Sequence, residues 1–259
     1  MDLKRYLRAE LPSFLLALQF LTRLKLPFEV EFSPAAQAAS PRWYALVGVV
    51  VGGLTGLLFW AALALFPPVV AVLVAMAGQL IITGALHEDG FADACDGLGG
   101  VRPRDRVLEI MRDSRIGTYG VLGLAMMLGG RVAVLAGLPL HALPFVLVAG
   151  HAASRASMLW VMASSTYVRD KGAATGVAER LDQRAVVTCA VTSGLALVPL
   201  LVVLPWLAVG LGLAGLAAGH YAMRHRFEAR LGGYTGDCLG AVQQCAATAF
   251  YLGLLLSPR

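Results

Sequence analysis

From residue 43 onward the chain repeats one rhythm: a long apolar run, then a short break carrying proline, glycine or charge. The apolar runs fall at about 43–66, 68–87, 118–138, 142–164, 186–204, 206–223 and 238–256, and each is near the ~20 residues that carry a helix across a bilayer. The start, "MDLKRYLRAELPSFLLALQFLTRLKLPF", is basic and then apolar, like a secretory leader. Arg23 and Lys25 follow its apolar part, however, and no small-residue cleavage site appears, so it reads as an amphipathic helix lying at the membrane surface. The pattern predicts an all-α fold: a polytopic transmembrane helical bundle of about seven spans with an N-terminal interfacial helix. One integral membrane domain over 1–259 suffices, with 1–42 cytoplasmic or interfacial and 88–117 a polar cytoplasmic segment.

Composition strengthens this reading, because 58% of residues are hydrophobic and 14% charged, against ~25% charged in soluble domains. Charge then orients the bundle. The breaks near Pro67-Pro68, Gly137–His141 and Pro205 hold no Lys or Arg. The opposite set holds six between Lys4 and Arg42, five between Arg102 and Arg115, four between Arg169 and Arg184, and three between Arg224 and Arg230. This asymmetry predicts a cytoplasmic N-terminus and an outside C-terminus, and the net charge of +5 then needs no nucleic-acid partner. The four cysteines have neither C-x-x-C spacing nor His partners, so neither a disulfide framework nor a zinc site is expected. Arg131 and Arg155 sit inside apolar spans, where a charge costs at least ~2.5 kcal/mol on insertion scales. Arg155, nearer the cytoplasmic end, is open to snorkelling. Arg131 lies deeper and calls for a wet cavity or an acidic partner, unless its span breaks at Gly129-Gly130.

The chemistry-bearing residues collect on the predicted cytoplasmic side. In "GALHEDGFADACDGLGG" (84–100), Asp89, Asp93 and Asp96 are spaced i, i+4, i+7, which puts them within about 60 degrees on one helix face. Three gathered carboxylates repel unless cations neutralise them. Hard oxygen ligands with cytoplasmic access suit Mg²⁺, which keeps waters and is commonly completed by substrate phosphates. A merely solvated acidic loop would not need the one-face spacing. "RDRVLEIMRDSRIGTYG" follows, with Arg106, Arg112 and Arg115 as forks for phosphate oxygens beside Glu109 and Asp113. For Arg106 and Glu109 a surface helix with its own ion pairs is the alternative. "GGYTGDCLGA" (232–241) adds Thr235 and Asp237 at the mouth of the last span, where Asp237 could also act as a helix cap. Carboxylates for a metal, a metal for a diphosphate and arginines for the remaining charge make a kit for phosphoryl-group transfer.

In order and spacing, "QFLTRLKLP", "GALHEDGFADACDG", "LEIMRDSRIGTYG", "AASRASMLW" and "GGYTGDCLGA" resemble the cobalamin synthase family, the adenosylcobinamide-GDP ribazoletransferases. The matching blocks span residues 19 to about 244, and the second and third are the most specific. The resemblance implies an Mg²⁺-dependent transferase of the cytoplasmic (inner) membrane. It would join adenosylcobinamide-GDP to α-ribazole or its 5′-phosphate and release GMP, the ribose 3′-hydroxyl attacking the phosphorus that carries the cobinamide arm. A homo-oligomer is compatible with it. The family's polar positions fall on His87, Asp89, Asp93 and Asp96, on Arg112, Asp113, Ser114 and Arg115, and on Arg23, Arg155, Thr235 and Asp237. The resemblance thus implies metal ligation by Asp89, Asp93, Asp96 and Asp237, and substrate binding by Arg23, Arg112, Ser114, Arg115, Arg155 and Thr235. His87 is open to three readings: the general base, a partner of a metal-bound carboxylate, or a buried structural histidine. An aspartate as the base, Asp89 or Asp113, also stays open. There are departures. The family usually has an apolar residue where Glu88 stands, so Glu88 is not counted as a ligand. Gln243 and Gln244 replace an acidic residue, and Tyr44-Ala45-Leu46-Val47-Gly48 replaces the family's usual opening of the first span.

Two rivals share parts of this pattern. A CDP-alcohol phosphotransferase would begin at Asp93-x-x-Asp96-Gly97, but Gly100-Val101 stands where Ala-Arg should, and the second aspartate pair is missing. A cation transporter would place its carboxylates near the bilayer midplane on broken helices, not at a cytoplasmic boundary.

Overall fold

The computed structural model describes residues 3–169, 181 and 183–257, with side chains from Glu10 onward. Lys4, Arg5, Arg8, Lys171 and Arg180, part of the basic pattern above, therefore lie outside the described side chains. Among the described residues the chain is helical, and its paired extended backbone is an isolated bridge between Tyr167 and Tyr234.

Helix α1 (Leu3–Leu21) and the short α2 (Pro34–Ala39) precede the bundle. α1 buries Leu15, Ala17, Leu18 and Leu21 while Leu11 and Phe20 stay exposed. It is tied to the 3-10 turn Ser40–Trp43 that leads into the bundle by an Arg42–Glu10 ion pair at 2.8 Å and by Trp43 Nε1 donating to Ser13 Oγ at 3.0 Å. The bundle consists of α3 (Tyr44–Leu63), α4 (Pro68–Thr83), α5 (Leu86–Leu98), α6 (Arg104–Ile110), α7 (Thr118–Ala136), α8 (Leu143–Ser164), α9 (Gln183–Leu197), α10 (Leu200–Val203), α11 (Trp206–Leu231) and α12 (Gly236–Leu255). Among the described residues six segments are long and apolar enough to cross a membrane, or seven if α4 and α5 count as one bent span. Exposed Leu57, Ile81, Met126, Leu195 and Val202 cover the outside of the bundle. So much exposed apolar surface fits lipid contact and not water.

Three boundaries differ from the hydropathy pattern, each for a local reason. The run 68–87 does not continue as one helix. Gly84 (φ 65) and Ala85 (φ 56) both adopt the left-handed conformation. They end α4 with both their backbone amides donating hydrogen bonds to the Leu80 carbonyl, and turn α5 through 90°. The run 186–204 breaks before Pro199, which has no amide to continue a helix. α11 continues to Leu231 because polar residues after 223 still form a good helix, with Arg224 and Glu228 paired i, i+4 at 3.0 Å.

α8 and α12 are central, with 78% and 72% of their most apolar windows buried, against 22–44% for the other spans. Close helix approach rests on glycine. Gly48 and Gly52 share a face of α3, and a Cβ at Gly52 would come 2.5 Å from Val148 Cα of α8. Small residues matter here because lipid offers helices little hydrophobic reason to associate. The interior is layered. One hydrophobic cluster includes Leu21, Tyr44, Met158 and Tyr234, and another includes Phe59, Leu143, Leu200 and Phe250. Between these clusters, along α7, α8 and α12, come buried polar groups: Arg131, then His151, Ser154 and Arg155, then Gln243 and Gln244.

Candidate active site

The site begins where α5 meets the first turn of α12. Two glycines let them touch. A Cβ at Gly90 would lie 3.0 Å from Asp237 Cα, and one at Gly240 would lie 2.9 Å from the His87 carbonyl oxygen. This contact brings Asp237 beside the α5 face that carries Asp89 and Asp93. Thr235 caps α12, its hydroxyl accepting from the Cys238 amide at 3.4 Å. The cap function considered for Asp237 thus belongs to Thr235, which is fully buried.

A second element enters through the Tyr167–Tyr234 bridge. The Val168 amide donates to the Tyr234 carbonyl at 3.0 Å, and the Tyr234 amide to the Thr166 carbonyl at 2.8 Å. The chain leaving α8 is thereby laid beside α12. Arg169 donates from Nη2 to Asp237 Oδ2 at 2.7 Å and to the Met111 carbonyl at 3.2 Å. Together these elements enclose a cavity of about 190 Å³. Its polar wall is His87, Asp89, Arg169 and Asp237, and its apolar wall includes Phe20, Tyr44, Met158 and Met162.

The electrostatics are those of crowded carboxylates. α5 runs across the end of α4, off the spanning axis, and its half-buried Asp93 is pushed up to about 7. Burial is the main cause, followed by the negative charges of Asp237, Asp89 and Asp96, with Arg169 opposing. Among the described residues no three His, Cys, Asp or Glu side chains are gathered tightly enough to hold a metal ion by themselves. A hard cation here would need substrate oxygens or water to complete its shell, which is the habit of Mg²⁺. The donor set fits such an ion: carboxylate oxygens whose mutual repulsion a divalent cation would relieve.

The remaining predicted residues divide into groups. Asp96 lies on the same helix but accepts from the Gly117 amide at 2.7 Å with Oδ2 and from the Gly120 amide at 2.9 Å with Oδ1. It anchors the start of α7, and both its oxygens are engaged there. Arg112, Ser114 and Arg115 are exposed and outside the cavity wall. Arg115 forks onto Asp113, Nη2 to Oδ2 at 2.6 Å, and this hydrogen bonding pulls Asp113 down to about 2. Arg23 is exposed, packs against Gly84 and likewise does not line the cavity. Arg155 does not snorkel. It is 1% exposed, and Nη1 donates to the His151 carbonyl at 3.1 Å, so it lies behind the wall and not in it. Arg131 meets an amide and not an acid, Nη2 donating to Gln244 Oε1 at 2.6 Å and to Thr248 Oγ1 at 2.7 Å. His87 lines the cavity although helix spacing sets it off the carboxylate face, because the cavity wraps the first turn of α5. Its Nε2 has no partner among the described residues. Glu88 turns inward, and two of the departures noted above meet there: Gln244 Nε2 donates to Glu88 Oε1 at 2.7 Å.

Arg169, Tyr167 and Phe20 escaped sequence reasoning. Nothing local distinguishes Arg169 from other basic residues following a span. Only the bridge to Tyr234 brings it to Asp237. All four cysteines are free.

Fold and site together define a polytopic helical membrane protein with an acidic, arginine-bearing cavity at one end of its bundle. The chain belongs to the cobalamin-5-phosphate synthase family, which it matches over residues 13–255. It is 38% identical over 257 residues to an adenosylcobinamide-GDP ribazoletransferase of Shewanella amazonensis, covering 96% of each chain. It is 41% identical to the enzyme of that name from Leptothrix cholodnii, over 93% of this chain and 94% of the relative. With the one from Vibrio cholerae it shares 36% identity over 96% and 95%. No solved structure matches the chain.

Proposed function

We propose that the protein is an Mg²⁺-dependent membrane transferase that joins adenosylcobinamide-GDP to α-ribazole or its 5′-phosphate, releasing GMP. The observation that carries this reading is the meeting of Asp89, Asp237 and Arg169 in the wall of one cavity, with Asp93, one helical turn after Asp89, in electrostatic contact with all three. Asp89, Asp93 and Asp237 would hold the metal, which when bound supplies charge neutralisation to a diphosphate. Arg169 is placed to share its charge between Asp237 and a phosphate oxygen, and the Asp237 pair keeps its fork oriented meanwhile. His87, buried at the wall, is placed to take the proton of the attacking ribose hydroxyl or to receive a hydrogen bond from it. The new phosphorus–oxygen bond forms as the bond to GMP breaks. The cavity suits a diphosphate and an adjoining ribose, so the corrinoid would lie outside it, against the bundle end. The deciding experiment feeds purified protein adenosylcobinamide-GDP with α-ribazole or its phosphate, with and without Mg²⁺. GMP release that needs both substrates and the metal is expected. Ion flux in proteoliposomes without any such release would replace this reading with a transporter.

The described basic residues of these segments, such as Arg169 in the cavity wall and Arg104 bonded to the Leu231 carbonyl at the end of α11, mark the cavity end of the bundle, which we assign to the cytoplasm of a cell with this protein in its inner membrane. In a cysteine-free background, Val101→Cys, at a position 92% exposed, should react with an impermeant thiol reagent only after cells are opened. His141→Cys, at the opposite end, should react in intact cells. The reverse pattern would invert the topology.

A further inference from the structure

Arg131 and Arg155 place two positive charges inside the bundle, at 3% and 1% exposure. Among the described residues, the carboxylate that stands in their network is Glu88, itself 3% exposed. Its Oε1 accepts from Gln79 Nε2 of α4 at 3.0 Å and from Gln244 Nε2 of α12 at 2.7 Å. The side-chain carbonyl oxygen of Gln244 in turn accepts from Arg131 Nη2 of α7 at 2.6 Å, so one amide relays that charge to Glu88. Arg155 of α8 interacts with Glu88 electrostatically. Five helices are therefore tied through a single carboxylate on α5.

Its place in the sequence gives this tie a consequence. Glu88 sits between His87 and Asp89, both of which line the cavity, while Glu88 faces the core. Successive helix side chains are about 100° apart. Holding Glu88 inward therefore holds Asp89 outward, and Asp93 one turn further on the same face. We propose that Glu88 is a positioning residue: its negative charge, drawn to the two buried arginines, sets the rotation of α5 that turns Asp89 and Asp93 toward Asp237. This inference rests on the carboxylate–Mg²⁺ reading above.

Two variants separate charge from shape. In Glu88→Gln the new side-chain carbonyl can still accept from Gln79 and Gln244, so the charge is lost while both bonds stay, and the amide nitrogen takes the place of Oε2, which has no partner among the described residues. In Glu88→Gln/Gln244→Glu the carboxylate moves across one hydrogen bond. The carboxylate, now on α12, accepts from Arg131 and from the amide introduced on α5. Because one oxygen, Oε1, takes both bonds in the parent, the new amide must turn to offer its oxygen to Gln79 and its nitrogen to the new carboxylate. The readout is the Mg²⁺-induced rise in melting temperature of detergent-solubilised protein, titrated without substrate. Glu88→Gln should raise the half-saturating Mg²⁺ by about tenfold, the size of a typical coupling between sites, and the double variant should return it to near the parental value. Ser157→Ala, which removes a buried 2.7 Å contact with His220 away from α5, should lower the melting temperature without moving the Mg²⁺ titration. A parental titration in Glu88→Gln, or an equal shift in Ser157→Ala, would overturn the inference alone. So would a folded double variant that recovers nothing. A parent whose melting temperature ignores Mg²⁺ would overturn the metal reading and this inference with it. Should Glu88→Gln not fold, Glu88→Asp decides, because it keeps the charge: a shift of about tenfold there would show that charge is not what positions α5.

Discussion

Asp93→Asn is expected to lower Mg²⁺-dependent GMP release by about a hundredfold or more, the usual effect of deleting one preorganised electrostatic group at a reacting centre, while leaving the metal-free protein as stable as the parent or more so. The two halves have one cause. Asp93 is raised from the ordinary 3.8 to about 7 by burial and by the carboxylates of Asp237, Asp89 and Asp96. A carboxyl group whose pKa rises on folding contributes stability while protonated and loses it as pH climbs from 3.8 through about 7. At about pH 8 without metal, its charge therefore opposes the fold, and asparagine removes the repulsion at nearly constant shape. Initial rates and melting temperatures at that pH, each with and without Mg²⁺, check both halves. A fall in metal-free stability with activity intact would mean that Asp93 is a structural group.

Gly240→Ala is expected to be damaging in a different way. Its new Cβ would meet the His87 carbonyl oxygen at 2.9 Å and His87 Cα at 3.2 Å, both backbone atoms that cannot swing aside. α5 and α12 must then separate, at a cost of about 1–3 kcal/mol for overpacking. Asp237 moves away from Asp89 and Asp93 as a result, and a misplacement near ~1 Å is worth about a hundredfold in rate. Gly130→Ala of α7, where nothing lies within 4 Å of the added carbon, is the control and should match the parent or gain stability. Equal melting temperatures for the two variants would show that the α5–α12 contact tolerates a methyl group and that the close approach is not required.

Much of the architecture was legible because a bilayer imposes length and polarity on each segment. The apolar runs predicted α3, α7, α8 and α12 to within a few residues at each end. The one-face spacing of Asp89, Asp93 and Asp96 placed them on a helix, and α5 is that helix. What hydropathy could not show was the 90° turn before α5. That turn depends on two left-handed residues, one of them an alanine, and not on an apolar count. Nor could the periodicity distinguish Asp96 from its neighbours. Its engagement with the Gly117 and Gly120 amides arises from where α7 begins in space.

The same division holds at the site and in the interior. Local spacing and composition, read in one dimension, determined the class of protein, its helical spans, the acidic face of α5 and the family. Contacts between distant segments decided the rest: Arg169 on Asp237, Gly90 against Gly240, and Glu88 shared among Gln79, Gln244 and the buried arginines. The physical reason is that helix periodicity and bilayer thickness act on neighbours along the chain. A partner for a buried charge, by contrast, is chosen by which helices pack together, and that choice leaves no local mark on either sequence.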